Sequence, residues 1–100
     1  QEITLYHDLK RIEFANRLLK DASSLQEFYF AFPYAFDKPQ FRFEGGNSTI
    51  EPLRDQLPGS NTDTYAVQHW VQITDGNGGI TWSSLEAPVV VLSELWPGYV

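Results

Sequence analysis

No cysteine occurs anywhere in the 100 residues, so neither disulfides nor thiolate metal sites hold the fold, and the redox compartment stays open. Basic residues are scarce: seven Lys and Arg stand against thirteen Asp and Glu, a formal charge of −6. Nucleic-acid affinity rests on clustered Lys and Arg, so no nucleic-acid partner is expected. No apolar run approaches the ~20 residues that span a bilayer, and the amino terminus lacks the basic-then-apolar pattern of a signal peptide. The chain reads as soluble, with no membrane partner and with the cytoplasm favoured over secretion. Methionine is missing as well. The chain opens directly on strand-like Ile3-Thr4-Leu5-Tyr6 and closes abruptly on Trp96-Pro97-Gly98-Tyr99-Val100, so the expectation is a fragment of a larger multidomain chain.

What is present is aromatic and strand-like. Aromatic residues make up 15% of the chain, which suits a dense core, a sugar platform or a face meant for neighbouring domains. A single domain of this length buries roughly 65% of the surface its unfolded chain exposes, enough for a core without staples. The clearest pattern runs from Tyr65 to Leu92. Val67, Val71 and Ile73 share one parity and Gln68, Gln72 and Thr74 the other, as a strand with one buried face requires. Asp75-Gly76-Asn77-Gly78-Gly79 supplies a hairpin loop, and Ile80 and Trp82 restart the alternation.

Elsewhere the signals vary in strength. From Gln1 to Lys20, Leu5, Leu9, Ile12 and Leu19 fall near helical spacing, while Ile12, Phe14, Asn16 and Leu18 alternate as on a strand; the pattern leaves both open, with Asp21-Ala22-Ser23-Ser24 as the closing turn. Glu27 to Phe32 predicts a strand, with Phe28, Phe30 and Phe32 on one side and Pro33 at the end of the pairing. Phe41-Arg42-Phe43-Glu44 predicts another, turned by Gly45-Gly46-Asn47. Between Ser48 and Thr64 no period holds, and Pro52, Pro58 and Gly59 punctuate what reads as one long polar loop. Glu86-Ala87-Pro88 breaks the return strand before Val89 to Leu92, whose unbroken apolar character suits a strand covered on both faces. Short strands with regular turn signals predict an all-β fold, an antiparallel β-sandwich over residues 1–100.

Chemistry is harder to find. The acids Glu13, Glu27, Glu44, Asp55, Asp63, Asp75, Glu86 and Glu94 mostly fall at strand ends and turns, where solvated surface is a better reading than a glycosidase carboxylate pair. Only His7, Asp8 and His69 offer themselves as metal ligands, and adjacent His7 and Asp8 would point to opposite faces of an extended chain. No nucleophile elbow surrounds Ser83 or Ser84. His69 shares the parity of the apolar residues, so pairing within or at the rim of the core is weighed against a ring donor aimed into a ligand cleft. Trp70 and Trp82 are read as core or interdomain packing in preference to a sugar-stacking platform. Asn47-Ser48-Thr49 fits a glycosylation acceptor by pattern, and Gly76 to Gly79 lacks the Lys-Ser/Thr and helix of a phosphate loop.

The succession of segments carries a resemblance. Leu5-Tyr6, Arg11-Ile12-Glu13-Phe14, Glu27-Phe28-Tyr29-Phe30-Ala31-Phe32-Pro33, Asp55-Gln56-Leu57-Pro58-Gly59-Ser60, Ala66-Val67-Gln68-His69-Trp70-Val71 and Glu86-Ala87-Pro88, in that order, resemble the carboxy-terminal β-region of bacterial-type α-mannosidases of glycoside hydrolase family 38. The resemblance covers nearly the whole chain. It implies a retaining, zinc-dependent exo-acting parent whose metal ligands and aspartate nucleophile lie on a separate α/β domain. His7-Asp8-Leu9 does not match that family's His-x-Asp pattern, so no catalytic or metal residue is carried over, and zinc is expected only in the parent's catalytic domain. The resemblance also implies one long strand from Leu5 to Leu18, bulged between Leu9 and Ile12.

The expectation is therefore a non-catalytic β-sandwich segment of an α-mannosidase-like glycoside hydrolase, partnered by the catalytic domain of the same chain. Its loop Asp55 to Thr64, led by Asp55 and Gln56 and followed by Gln68, His69 and Trp70, would lend residues to the α-mannoside site. A free-standing carbohydrate-binding module is the alternative, using Trp70, Trp82, Trp96 and Tyr99, and a structural interdomain adaptor is a third reading. Open strand edges would also invite self-association between copies.

Overall fold

The structure is a computed structural model that describes residues 1–22 and 27–92. The chain divides into two compact units, Gln1–Phe30 and Ala31–Val100. Every element among the described residues is a β-strand and every pairing is antiparallel. The all-β, sandwich-like class read from the turn spacing holds. The predicted turn at 21–24 falls in part, and Glu94, Trp96 and Tyr99 fall wholly, outside the described residues.

The first unit is built on a ribbon of β1 (Glu2–Leu5) and β2 (Ile12–Ala15). Ile3 lies opposite Phe14 and Leu5 opposite Ile12, so these four apolar side chains share one face and Thr4 and Glu13 share the other. The expected single strand from Leu5 to Leu18 is thereby corrected. Between Tyr6 and Arg11 the chain reverses, with the Arg11 amide donating to the Leu9 carbonyl at 2.8 Å. Polar contacts hold the reversal: the Tyr6 hydroxyl donates to Glu13 at 2.6 Å, Arg11 pairs with Glu13, and the Arg11 guanidinium lies 5.7 Å from the Tyr6 ring centre. A bulge would have kept Ile12 in line with Leu5; the reversal places it across from Leu5 instead.

Glu27 to Phe32 forms no strand, which corrects the strongest aromatic alternation in the chain. A strand needs a ladder partner, and none pairs with this segment among the described residues. Phe28, Tyr29 and Phe30 are each about half exposed, and Lys20 lies over the Phe28 ring at 4.9 Å. Period two survives a little further on. Phe32, Tyr34 and Phe36 are half-buried while Ala31, Pro33 and Ala35 between them are exposed, so this stretch uses its parity for packing without a backbone ladder.

The second unit holds a four-stranded sheet in the order β4-β3-β6-β7 and a separate pair, β5 with β8. Its strands are β3 (Gln40–Gly45), β4 (Ser48–Ile50), β5 (Tyr65–Ala66), β6 (Trp70–Thr74), β7 (Gly79–Ser83) and β8 (Val89–Val90). The register sets Phe43 opposite both Ile50 and Val71, Phe41 opposite Ile73, Val71 opposite Trp82, and Ile73 opposite Ile80. All of them therefore stand on one face. Phe43, Val71 and Ile73 form the buried core with Tyr65 and Val67, and Tyr34, Phe36, Phe41, Ile50, Trp82, Val90 and Leu92 pack against it. The four-stranded sheet is one layer, and the β5–β8 pair with the Tyr34–Phe36 stretch covers it.

The run Tyr65 to Thr74 is not one strand. Tyr65 and Ala66 pair with Val90 and Val89, whereas Trp70 onward pairs with β3 and β7. Between them the Val67 amide donates to the Pro88 carbonyl at 2.7 Å and the Gln68 amide to the Glu44 carbonyl at 3.0 Å. The chain crosses from one layer to the other over residues 67–69, as corners of sandwiches do. The hairpin beyond it forms as expected. Asp75 Oδ1 accepts from the amides of Asn77 (2.9 Å) and Gly78 (3.2 Å), and Gly76 takes φ 85°.

Two further expectations are corrected. The stretch from Ser48 is not wholly irregular, because β4 returns along β3 from a turn whose left-handed position is Asn47, φ 73°; three residues are too few to display a period. The apolar run Val89 to Leu92 is not covered on both faces: only Val89 and Val90 pair, Val89 is 62% exposed and Val91 43%. Their continuous hydrophobicity reflects a short edge strand beside the core.

Candidate functional site

Of the five residues singled out from the sequence, Gln68, His69 and Trp70 meet strand β3, whereas Asp55 and Gln56 stay within their own loop, which reaches β3 through Glu51. The alternation of β3 puts Phe41 and Phe43 into the core, which turns Arg42 and Glu44 to the opposite, open face of the sheet. Glu44 meets the crossing segment: its carbonyl accepts the Gln68 amide, and its Oε2 lies 2.9 Å from His69 Nδ1. Arg42 meets the long loop through Glu51, with 2.9 Å between Nε and Oε1.

His69 is not a core residue. Its side chain is 69% exposed against 29% for Glu44, and its parity with Val71 is broken by the change of layer at residues 67–69. Its carbonyl accepts the Ser83 hydroxyl at 2.8 Å, so His69 is fastened at both side chain and backbone to the neighbouring strands. Gln68 is exposed and anchored through its amide.

Trp70 is half-buried on the open face, opposite Ser83 in the register. Continuing the pairing of Phe43 with Val71 by one step brings Glu44 opposite it. Trp82 stands on the other face, across from Val71, with its ring 5.9 Å from that of Phe32. The two indoles therefore lie on opposite sides of one sheet and do not form a common platform.

Asp55 and Gln56 organise their own loop. The Asp55 amide donates to the Glu51 carbonyl at 3.0 Å, and its carboxylate accepts from the Glu51 amide at 2.8 Å and from Arg54 Nε at 3.0 Å. Those bonds favour the charged form, chiefly the Arg54 guanidinium and then the Glu51 amide, and hold the carboxyl below the usual aspartate range. Arg54 also pairs with Glu51, and its own pKa is raised, first by the bond to Asp55. Gln56 Oε1 accepts from the Leu53 amide at 2.9 Å while Nε2 donates to the Asn61 carbonyl at 3.2 Å. Leu53 has φ 68°, a left-handed backbone held by that bond.

Chemically the arrangement favours positioning over proton transfer. A general acid near neutral pH needs a raised carboxyl pKa, and Asp55 is shifted the other way. Among the described residues no group of three or more His, Cys, Asp or Glu is placed to hold a metal ion. The open face presents, among the described residues, one indole, Trp70, neighboured in the register by Glu44, Gln72 and Ser83.

Sequence reasoning gave Arg42 and Glu51 no role and read Glu44 as solvated surface, although Arg42 and Glu44 tie β3 to the loop and to the crossing segment. The signal was there for Arg42 and Glu44, since Phe41 and Phe43 facing the core commit both to the outside. In comparisons with known proteins, no family model, no curated protein and no solved structure matches this chain.

Proposed function

We propose that this chain is a non-catalytic β-sandwich segment of an α-mannosidase-like glycoside hydrolase, packing against a catalytic domain that carries the zinc and the nucleophile. The order of its sequence segments supports the family. The observation that carries the packing role is the face of β1 and β2: Ile3, Leu5, Ile12 and Phe14 stand on one side of the ribbon, and are 54, 73, 54 and 39% exposed. Four large apolar side chains on one face of a ribbon are the kind of surface that a neighbouring domain covers. In this reading the Trp70 face, with His69 and Glu44, is the part that could border a mannoside.

The test is to assay the isolated chain and its full-length parent on an aryl α-mannoside. Turnover is expected from the parent alone and is expected to stop when zinc is chelated. Turnover by the isolated chain, or a parent with no glycosidase activity, overturns the reading. The same apolar face favours a second reading, a structural adaptor between domains of some other enzyme; Leu5→Asp with Ile12→Asp in the parent would then loosen the domains while a parent inactive on mannosides excludes the first reading.

A further inference from the structure

The two edges of the four-stranded sheet are built differently. Strand β4 is three residues long and runs directly into Glu51 and Pro52, and Glu51 is clamped by Arg42 and Arg54. Charge, proline and brevity are how natural sheets discourage pairing with another chain. Strand β7 has none of these. Gly79-Ile80-Thr81-Trp82-Ser83 pairs with β6 in unbroken register, and its other edge pairs with nothing among the described residues. From Gly76 to Leu85 there is no charged residue and no proline, the nearest charges being Asp75 and Glu86. Gly79, Ile80, Thr81 and Ser83 are all exposed.

This edge is also complementary to itself. Two copies of β7 laid antiparallel about Thr81 pair all five residues: Thr81 meets Thr81, Ile80 meets Trp82, and Gly79 meets Ser83. Ile80 and Trp82 stand on the core face of the sheet and Thr81 on the open face, so apolar meets apolar and hydroxyl meets hydroxyl across the joint. A two-fold contact requires a patch that matches itself in this manner. We propose that β7 is a homodimerisation edge, where a second copy of this chain adds its own β7 antiparallel about Thr81 and joins two four-stranded sheets into one of eight strands. The inference does not depend on the mannosidase reading.

The absence of cysteine makes a direct test available. A Thr81→Cys variant places one thiol at the two-fold centre, where directly opposed Cβ atoms lie ~4.5–5.5 Å apart. Under mild oxidation it is expected to give a disulfide-linked dimer, whereas Thr49→Cys on the β4 edge stays monomeric. Sedimentation of the unmodified chain should show a concentration-dependent dimer. Thr81→Lys sets like charges opposite one another and should raise the dissociation constant at least about fivefold, with near-ultraviolet circular dichroism unchanged as the control for folding. A chain that remains monomeric across the concentration series and fails to cross-link through Thr81→Cys overturns the proposal. So does a dimer that Thr81→Lys leaves intact, or one that Thr49→Cys captures as readily.

Discussion

His69 Nδ1 lies 2.9 Å from Glu44 Oε2, which ties the point where the chain changes layers to β3, the strand that carries Phe43 into the core. Because the imidazole side is mostly exposed, the contact fixes direction more than it adds stability. Exposed side-chain pairs of this kind contribute about 0.2–1 kcal/mol. A double-mutant cycle of His69→Ala and Glu44→Gln, read by urea denaturation, should give a coupling within that range. A coupling well above it would mean that the pair is shielded.

Phe43 should matter far more. It is 4% exposed and its ring lies 5.2 Å from that of Tyr65, so it joins the sheet to the strand pair that covers it. Phe43→Ala is expected to cost about 3–5 kcal/mol, the usual range for a buried aromatic. Leu57, 81% exposed, is the control, and Leu57→Ala should stay within about 0.5 kcal/mol. Equal losses at the two positions would place the core elsewhere.

The same residues mark how much was legible in the sequence. Alternation at Phe41 and Phe43, and at Val71 and Ile73, identified two central strands because each has one covered face and a partner on both sides. The equally regular alternation at Phe28 and Phe30 misled, since periodicity reports which side is apolar and says nothing about whether a ladder partner exists. The crossing at residues 67–69 was invisible for a related reason: Val67 is buried on the same parity as Val71, yet its amide bonds to Pro88 instead of to a neighbour in β6's sheet. At the candidate site, His69 and Trp70 were found as residue types. Their partner Glu44 depended on a register between strands 25 positions apart, which no local pattern contains.

Turn chemistry gives a prediction with a built-in contrast. Gly76 has φ 85°, whereas Gly46 does not lie in the left-handed region and a Cβ there would meet nothing within 4 Å. A non-glycine residue held in the left-handed region costs about 1–2 kcal/mol. Gly76→Ala should therefore lower stability by about that amount in a thermal melt, and Gly46→Ala should be close to neutral. If Gly46→Ala proves the costlier, the β3–β4 turn differs from the one described.

Acid should act on the long loop through Asp55. Its carboxyl is held below the ordinary value of 3.8, first by the Arg54 guanidinium and then by the Glu51 amide. A carboxyl whose pKa is lower folded than unfolded contributes stability that is fully present above the unfolded value and disappears as pH falls through the folded value. The affected window therefore begins near pH 4 and extends downward. Asp55→Asn keeps much of the side chain's shape and removes its titration, so the variant should lose less stability than the parent chain between pH 4 and pH 2.5, measured as the shift in urea midpoint. Above pH 5 the variant should be the weaker of the two, because Arg54 and the Glu51 amide then face a neutral amide in place of a carboxylate. Parallel midpoint curves for the two proteins across this range would show that the Arg54–Asp55 contact contributes nothing to folding.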